Sequence, residues 1–173
     1  MIRKILVPVD GSPLSVKAAD LAADLAAKYD AELILLHVLL RGHMPEGLRR
    51  AVEVEAGPER RAKPRNLVNM PQEIMARVQD KKTKQLSLEA LDIVGKFVLS
   101  NIASRCDDLG AERITQRVEE GYPAETILAI AKSAPADMIV MGSRGLGDLK
   151  GLLMGSVSNK VSQLADCTCV TVK

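Results

Sequence analysis

Residues 141–158 read MGSRGLGDLKGLLMGSVS and hold five glycines in eighteen positions. Glycine lets backbone N–H groups approach an anion closely and reach positive φ. Met141 leads into the first part of the run. There Gly142 and Gly145 flank Arg144, a cation able to form a charge-assisted bond to phosphate. Gly155, Ser156, Val157 and Ser158 then open a helix, whose free amides and dipole attract the same anion. Ser156 and Ser158 are placed to add hydroxyl donors. A second feature, VPVDGS, ends an apolar run on a carboxylate and a turn: Pro8, Val9, Asp10, Gly11 and Ser12. A carboxylate accepts from hydroxyls and suits a ribose or adenine edge. Together these residues describe a nucleotide cradle, with the sugar at Asp10 and phosphates at 142–145 and 155–158.

The spacing rejects two rivals. A phosphate-loop NTPase needs GxxxxGK[ST] between its first strand and helix. Here DGSPLS follows the first strand, and no GK[ST] occurs. The dinucleotide fingerprint GxGxxG belongs at the same place and is absent there.

Such a cradle needs strands that bring both features to one edge. Residues 2–10 form an apolar, β-branched run that stops at a turn, which predicts a first strand. Ser12 as a cap and Pro13 at the first helical position open a helix, with Leu14, Ala18, Leu21 and Leu25 at helical spacing. Residues 32–40, 113–121, 137–143 and 167–173 read as further strands. Helices are predicted over 88–109, 123–134 and 156–165. Leu88, Leu91, Val94, Val98, Ile102 and Leu109 mark the first of these, with Gly110 as its stop. Val157, Val161 and Leu164 mark the last. Alternating strands and helices predict an α/β domain, a mostly parallel sheet covered by helices on both faces. If the first and fourth strands are neighbours, Asp10 faces the glycine run across one crevice, where open α/β sheets bind ligands.

Composition agrees and excludes several classes. Of the 173 residues, 47% are apolar but only 2% aromatic, so the core must be aliphatic, as suits parallel strands under helices. A net charge of +2 and three aromatic side chains argue against a nucleic-acid surface. No stretch approaches the length of a membrane span, and Asp10 cuts the first apolar run short of a secretory signal. Three cysteines, an odd number, fit a reducing cytoplasm. Cys167 and Cys169 read as two strand residues on one face, and no metal site is predicted.

One domain spans 1–173, interrupted by a charged insertion at about 41–87. Residues 41–65 carry seven Lys or Arg against four Glu, and Pro45, Pro58, Pro64 and Pro71 punctuate the segment. Two readings stand: a lid or partner-binding arm, or a solvated excursion with no ligand role.

The glycine run resembles that of the universal stress protein family, in its nucleotide-binding branch. That branch carries G-x2-G-x9-G-[S/T], matched by Gly142, Gly145, Gly155 and Ser156. VPVDGS and the LLHV of the second strand also resemble it. The resemblance covers about residues 1–40 and 88–173. It implies an open, Rossmann-like sheet of five parallel strands in the order 3-2-1-4-5. It implies ATP as the ligand, with Mg²⁺ held mainly through the phosphates. It places Asp10 at the ribose or adenine, and backbone atoms near Val9 and Val38 at the adenine. Gly142, Arg144 and Gly145 would wrap the phosphates, and Gly155, Ser156, Val157 and Ser158 would close over them. It also implies a homodimer through residues 167–173. Two departures stand out: Thr168 occupies the place of a proline, and the 41–87 segment is longer than usual.

Hydrolysis needs a positioned water, a base and charge neutralisation at the leaving phosphates. The sequence offers donors but no assigned base, and His37 reads as a satisfied strand-end histidine. The expectation is an ATP-binding regulatory or stress-response protein acting as a sensor or partner module. A slow ATPase or phosphotransferase would need Asp148, His43 or Glu46 to close over the γ-phosphate. A scaffold would dock an acidic partner through Arg49, Arg50, Arg60, Arg61, Lys63 and Arg65. Gly142→Val is expected to block phosphate approach without unfolding the sheet.

Overall fold

A computed structural model of the chain describes residues 1–39, 88–146 and 154–173. The elements run β1 (Lys4–Pro8), α1 (Pro13–Tyr29), β2 (Glu32–Leu39), α2 (Leu88–Asp108), β3 (Ile114–Glu120), α3 (Pro123–Ser133), β4 (Met138–Gly142), α4 (Ser156–Leu164) and β5 (Thr168–Val172). The five strands pair only in parallel, in the order β3-β2-β1-β4-β5. The chain therefore starts mid-sheet, winds outward to β3, returns to β4 and ends at β5. The strand order reverses between β1 and β4, where Ile5 pairs with Met138 and Leu6 with Ile139.

Strand periodicity divides the core into two layers. Ile5, Val7, Val9, Leu33, Leu35 and Val140 face α1 and α2. Leu6, Ile34, Leu36, Ile139 and Met141 face the other way, towards α3 and Val161 of α4. The central strands are buried on both sides, which explains their unbroken apolar runs.

Of the expected stripe of helix α1, Ala18 is fully buried and Leu25 packs against the core, but Leu21 falls outside it. The helix buries Ser15, Ala18, Ala19, Ala22, Ala23 and Ala26, while Leu21 is exposed. Small side chains on the buried face let the helix lie close to the sheet. Its N-cap is as predicted: Ser12 Oγ accepts from the Ser15 N–H at 3.2 Å, and Pro13 occupies the first turn. Helix α2 buries Val94, Val98 and Ile102 as predicted, together with Leu99, Ala103 and Cys106. Leu109 lies beyond the helix and is exposed, and Gly110 takes the positive φ of +93° that turns the chain out of it. In α4, Val161 is fully buried but Leu164 is exposed. The predicted insertion at about 41–87 lies outside the described residues.

Candidate functional site

The VPVDGS stretch folds into a turn that satisfies its own polar groups. The Val9 N–H donates to the Leu36 carbonyl at 2.8 Å, extending the β1–β2 pairing past Pro8. The Ser12 N–H then donates to Asp10 Oδ1 at 3.0 Å. Gly11, at φ +81°, supplies the left-handed step that this turn demands. The Ser12 carbonyl accepts from the Val16 N–H at 3.1 Å and from Ser15 Oγ at 2.9 Å. The start of α1 thereby fixes where Asp10 stands.

The glycine run leaves β4 at Gly142 and is stitched at its base. The Ser143 N–H donates to the Val172 carbonyl at 2.7 Å, tying the loop to β5. The Ser143 carbonyl accepts from the Gly155 N–H at 2.7 Å and from Ser158 Oγ at 2.6 Å. Ser143 and Ser158 are both buried. The expectation that Ser158 offers a hydroxyl to phosphate is therefore revised: its O–H is directed at Ser143 and closes the loop. Ser156 is exposed at the start of α4. Gly155 is the N-cap and supplies no side chain to take the amides of the first turn. The positive end of the helix dipole lies at the same place as those amides.

The two features meet. Asp10 Oδ2 accepts the Leu146 N–H at 3.0 Å. The expected juxtaposition across the β1–β4 switch point is thus direct contact. Pro8, Val9, Asp10, Gly11, Ser12, Met141, Gly142, Arg144 and Gly145 converge at the carboxyl ends of these two strands, and Gly155–Ser158 lie at the loop's far end. Arg144 is exposed. Val38 is one strand away, opposite Glu119 in the β2–β3 register.

The glycines have distinct reasons. At Gly142 a Cβ would stand 2.9 Å from Leu14 Cβ and 3.0 Å from the Leu14 carbonyl carbon, so glycine there admits α1. This corrects the expectation for Gly142→Val, which would push a branched side chain into helix backbone and destabilise the sheet–helix packing. At Gly145 a Cβ would collide with Asp10 Oδ2. At Gly155 a Cβ would meet nothing closer than 3.5 Å, and the backbone is ordinary extended chain. Nothing inside the described protein requires glycine at 155, and open backbone there suits the approach of an anion.

His37 is one group that sequence reading places only in outline. Its Nδ1 lies 2.8 Å from the Val9 carbonyl, which makes Nδ1 the protonated nitrogen. Burial holds the imidazole below its ordinary pKa, with the Val9 carbonyl and the charge of Asp10 pulling partly back. Gly95 of α2 packs on the ring. The signal was present in VGKFV: glycine inside a long helix is disfavoured by about 1 kcal/mol and marks a close approach. His43, Glu46, Asp148 and the basic residues at 49–65 lie outside the described residues. Among the described residues no cluster of three metal-ligating side chains occurs, and no helix is long and apolar enough to cross a membrane.

Fold and crevice define a doubly wound α/β protein whose strand order reverses beside a carboxylate and a glycine loop. Across its whole length, residues 1–173, the chain matches the model of the universal stress protein family, and it belongs to that family. It is 33% identical over 173 residues to the universal stress protein YxiE of Bacillus subtilis, covering all of both chains. Its fold matches the solved structure of MJ0577, a universal stress protein of Methanocaldococcus jannaschii, with a TM-score of 0.68 at 26% identity, over 100% of this chain and 96% of the other. It also matches the universal stress protein of Archaeoglobus fulgidus in complex with dAMP, with a TM-score of 0.63 at 19% identity and full coverage of both chains.

Proposed function

We propose that this protein is an adenine-nucleotide-binding regulatory protein of the stress-response type, and that its ligand is ATP. The observation that carries the reading is the contact between Asp10 and Leu146. It sets a hydroxyl-accepting carboxylate beside a glycine loop that ends on an uncapped helix N-terminus. The dAMP held by the Archaeoglobus protein of the same fold supports the class of ligand. In this reading Asp10 takes the ribose, and the base lies towards Val38 and the backbone near Val9. The phosphates lie along Gly142, Arg144 and Gly145 and over Gly155, Ser156 and Val157, with Ser158 holding the loop that carries them. Mg²⁺ would be held through the phosphates. The free thiols of Cys106, Cys167 and Cys169 suit a reducing, cytoplasmic compartment. The outer edge of β5, the last strand of the sheet, supports pairing of two copies through residues 167–173. The segment 41–87 is proposed as the surface a protein partner would meet.

The test is to purify the protein without added nucleotide, denature it and identify small molecules in the supernatant, then titrate stripped protein with ATP. Intact ATP near one per chain, or saturable binding on titration, is the expected result. Neither co-purified nucleotide nor saturable binding of ATP, ADP or AMP would overturn the reading.

A further inference from the structure

His37 lies behind the crevice, on the opposite face of β2 from Val38. Its Nδ1–H donates to the Val9 carbonyl at 2.8 Å. The ring has little room to swing: a Cβ on Gly95 would stand 2.8 Å from its Cδ2 and 3.4 Å from Leu39 Cδ2. The Val9 N–H is itself held by the Leu36 carbonyl at 2.8 Å. Both polar groups of Val9 are therefore anchored to β2, and the peptide leading into Asp10 cannot rotate freely. Beyond it, Asp10 Oδ1 takes the Ser12 N–H and Oδ2 the Leu146 N–H. The hydrogen bond of His37 to Val9 and those of the Asp10 carboxylate to Ser12 and Leu146 are thus joined through the covalent Val9–Asp10 backbone.

We infer that His37 is a positioning residue for the nucleotide: its Nδ1–H locks the Val9–Asp10 peptide and so sets the direction in which the Asp10 carboxylate is presented. This rests on the nucleotide reading of the crevice. His37 acts on the ligand only through Val9 and Asp10. A histidine that merely fills the core would contribute to stability without steering Asp10, and the two roles separate by substitution. The amide nitrogen of asparagine reaches the place of the imidazole Nδ1. That of glutamine reaches the place of Nε2 and cannot donate to Val9 without a shift of the chain.

The experiment compares the full-length wild type, His37→Asn and His37→Gln. It reads ATP and adenosine affinity by calorimetry, thermal stability, and exchange of the Leu146 amide in ligand-free protein by NMR. His37→Asn should bind within about threefold of wild type, because the donor is retained. His37→Gln should bind both ligands about tenfold more weakly, as loss of one hydrogen bond's worth of orientation implies. Its Leu146 amide should exchange about tenfold faster. Equal affinities and equal Leu146 exchange in the two variants would overturn the inference, whatever their melting temperatures. If the wild type binds neither ligand, the nucleotide reading fails by itself. Leu146 exchange then decides alone whether His37 orients Asp10: faster in His37→Gln supports it, equal rates overturn it.

Discussion

The Asp10 carboxylate holds the Leu146 amide at 3.0 Å, bridging the end of β1 to the loop that leaves β4. Gly145, one residue earlier, is the position where any side chain would strike that carboxylate. Residues 10 and 146 lie 136 positions apart, yet their contact joins the end of β1 to the glycine loop. A nucleotide's hydroxyls would meet an acceptor whose direction is already chosen.

Gly145→Ala should break this contact while leaving the sheet intact. The displaced carboxylate must turn away from Leu146, and ATP affinity should fall about tenfold, the scale of one lost oriented hydrogen bond. Because residue 145 lies on a surface loop outside both core layers, unfolding free energy should change by less than about 1 kcal/mol. Calorimetric titration beside a urea melt checks both halves.

Gly155 and Gly142 should behave differently from one another. Gly155→Ala meets only ordinary contacts from 3.5 Å outward, so its loss of stability should stay below about 1 kcal/mol, the scale of a weaker N-cap. Its ATP affinity should fall at least about tenfold, with adenosine affected far less, if the phosphates approach that backbone. Gly142→Val should instead lower stability by about 1–3 kcal/mol through overpacking against Leu14. Parallel melts and titrations of ATP and adenosine would show the split. Unchanged ATP affinity in Gly155→Ala would move the phosphates elsewhere.

Asp10→Ala should weaken ATP and adenosine alike, by about tenfold, as expected for an acceptor on the ribose side. Equilibrium dialysis with both ligands is sufficient. An effect confined to ATP would place Asp10 at the phosphate end.

His37 makes stability depend on pH. Burial lowers its pKa in the folded protein from the ordinary 6.5. Below that value the unfolded chain takes up a proton that the folded chain still refuses. The unfolded state then binds more protons, so stability rises with pH through this window. The contribution is fully present above 6.5 and is lost as pH falls towards the lower folded value. Urea melts between about pH 5 and 7.5 should show this slope, where histidine titrates, and His37→Asn should flatten it. An identical slope in His37→Asn would assign the effect to other groups.

Much of the fold was legible because its signals are local. Apolar runs closed by Asp10 and Gly142, the Ser12 cap and Pro13, Pro123 at the start of α3 and Gly110 after α2 each act within a few residues. Strand positions were accordingly right to within about two residues at each end, the usual uncertainty of such boundaries. In α1 the periodicity finds the core face at Ala18 and Leu25 but misplaces Leu21, for the complementary reason. Periodicity says which side of a helix is apolar, but the distance to the sheet decides whether leucine or alanine fits. That Ala22 and Ala26 are buried while Leu21 is exposed accords with how closely α1 lies on β4 at Leu14 and Gly142.

The sequence by itself determined the alternation of strands and helices, the glycine spacing and the identity of the chemical groups, because backbone propensity and side-chain type are properties of neighbouring residues. Only the tertiary structure decided what each group does. Pairing of β1 with β4 brings Asp10 to Leu146. The closeness of α1 makes Gly142 a packing residue. Pairing of β1 with β2, with α2 laid over it, turns His37 onto Val9. Contacts between residues so far apart in the chain depend on the whole sheet having formed, and no local pattern records them.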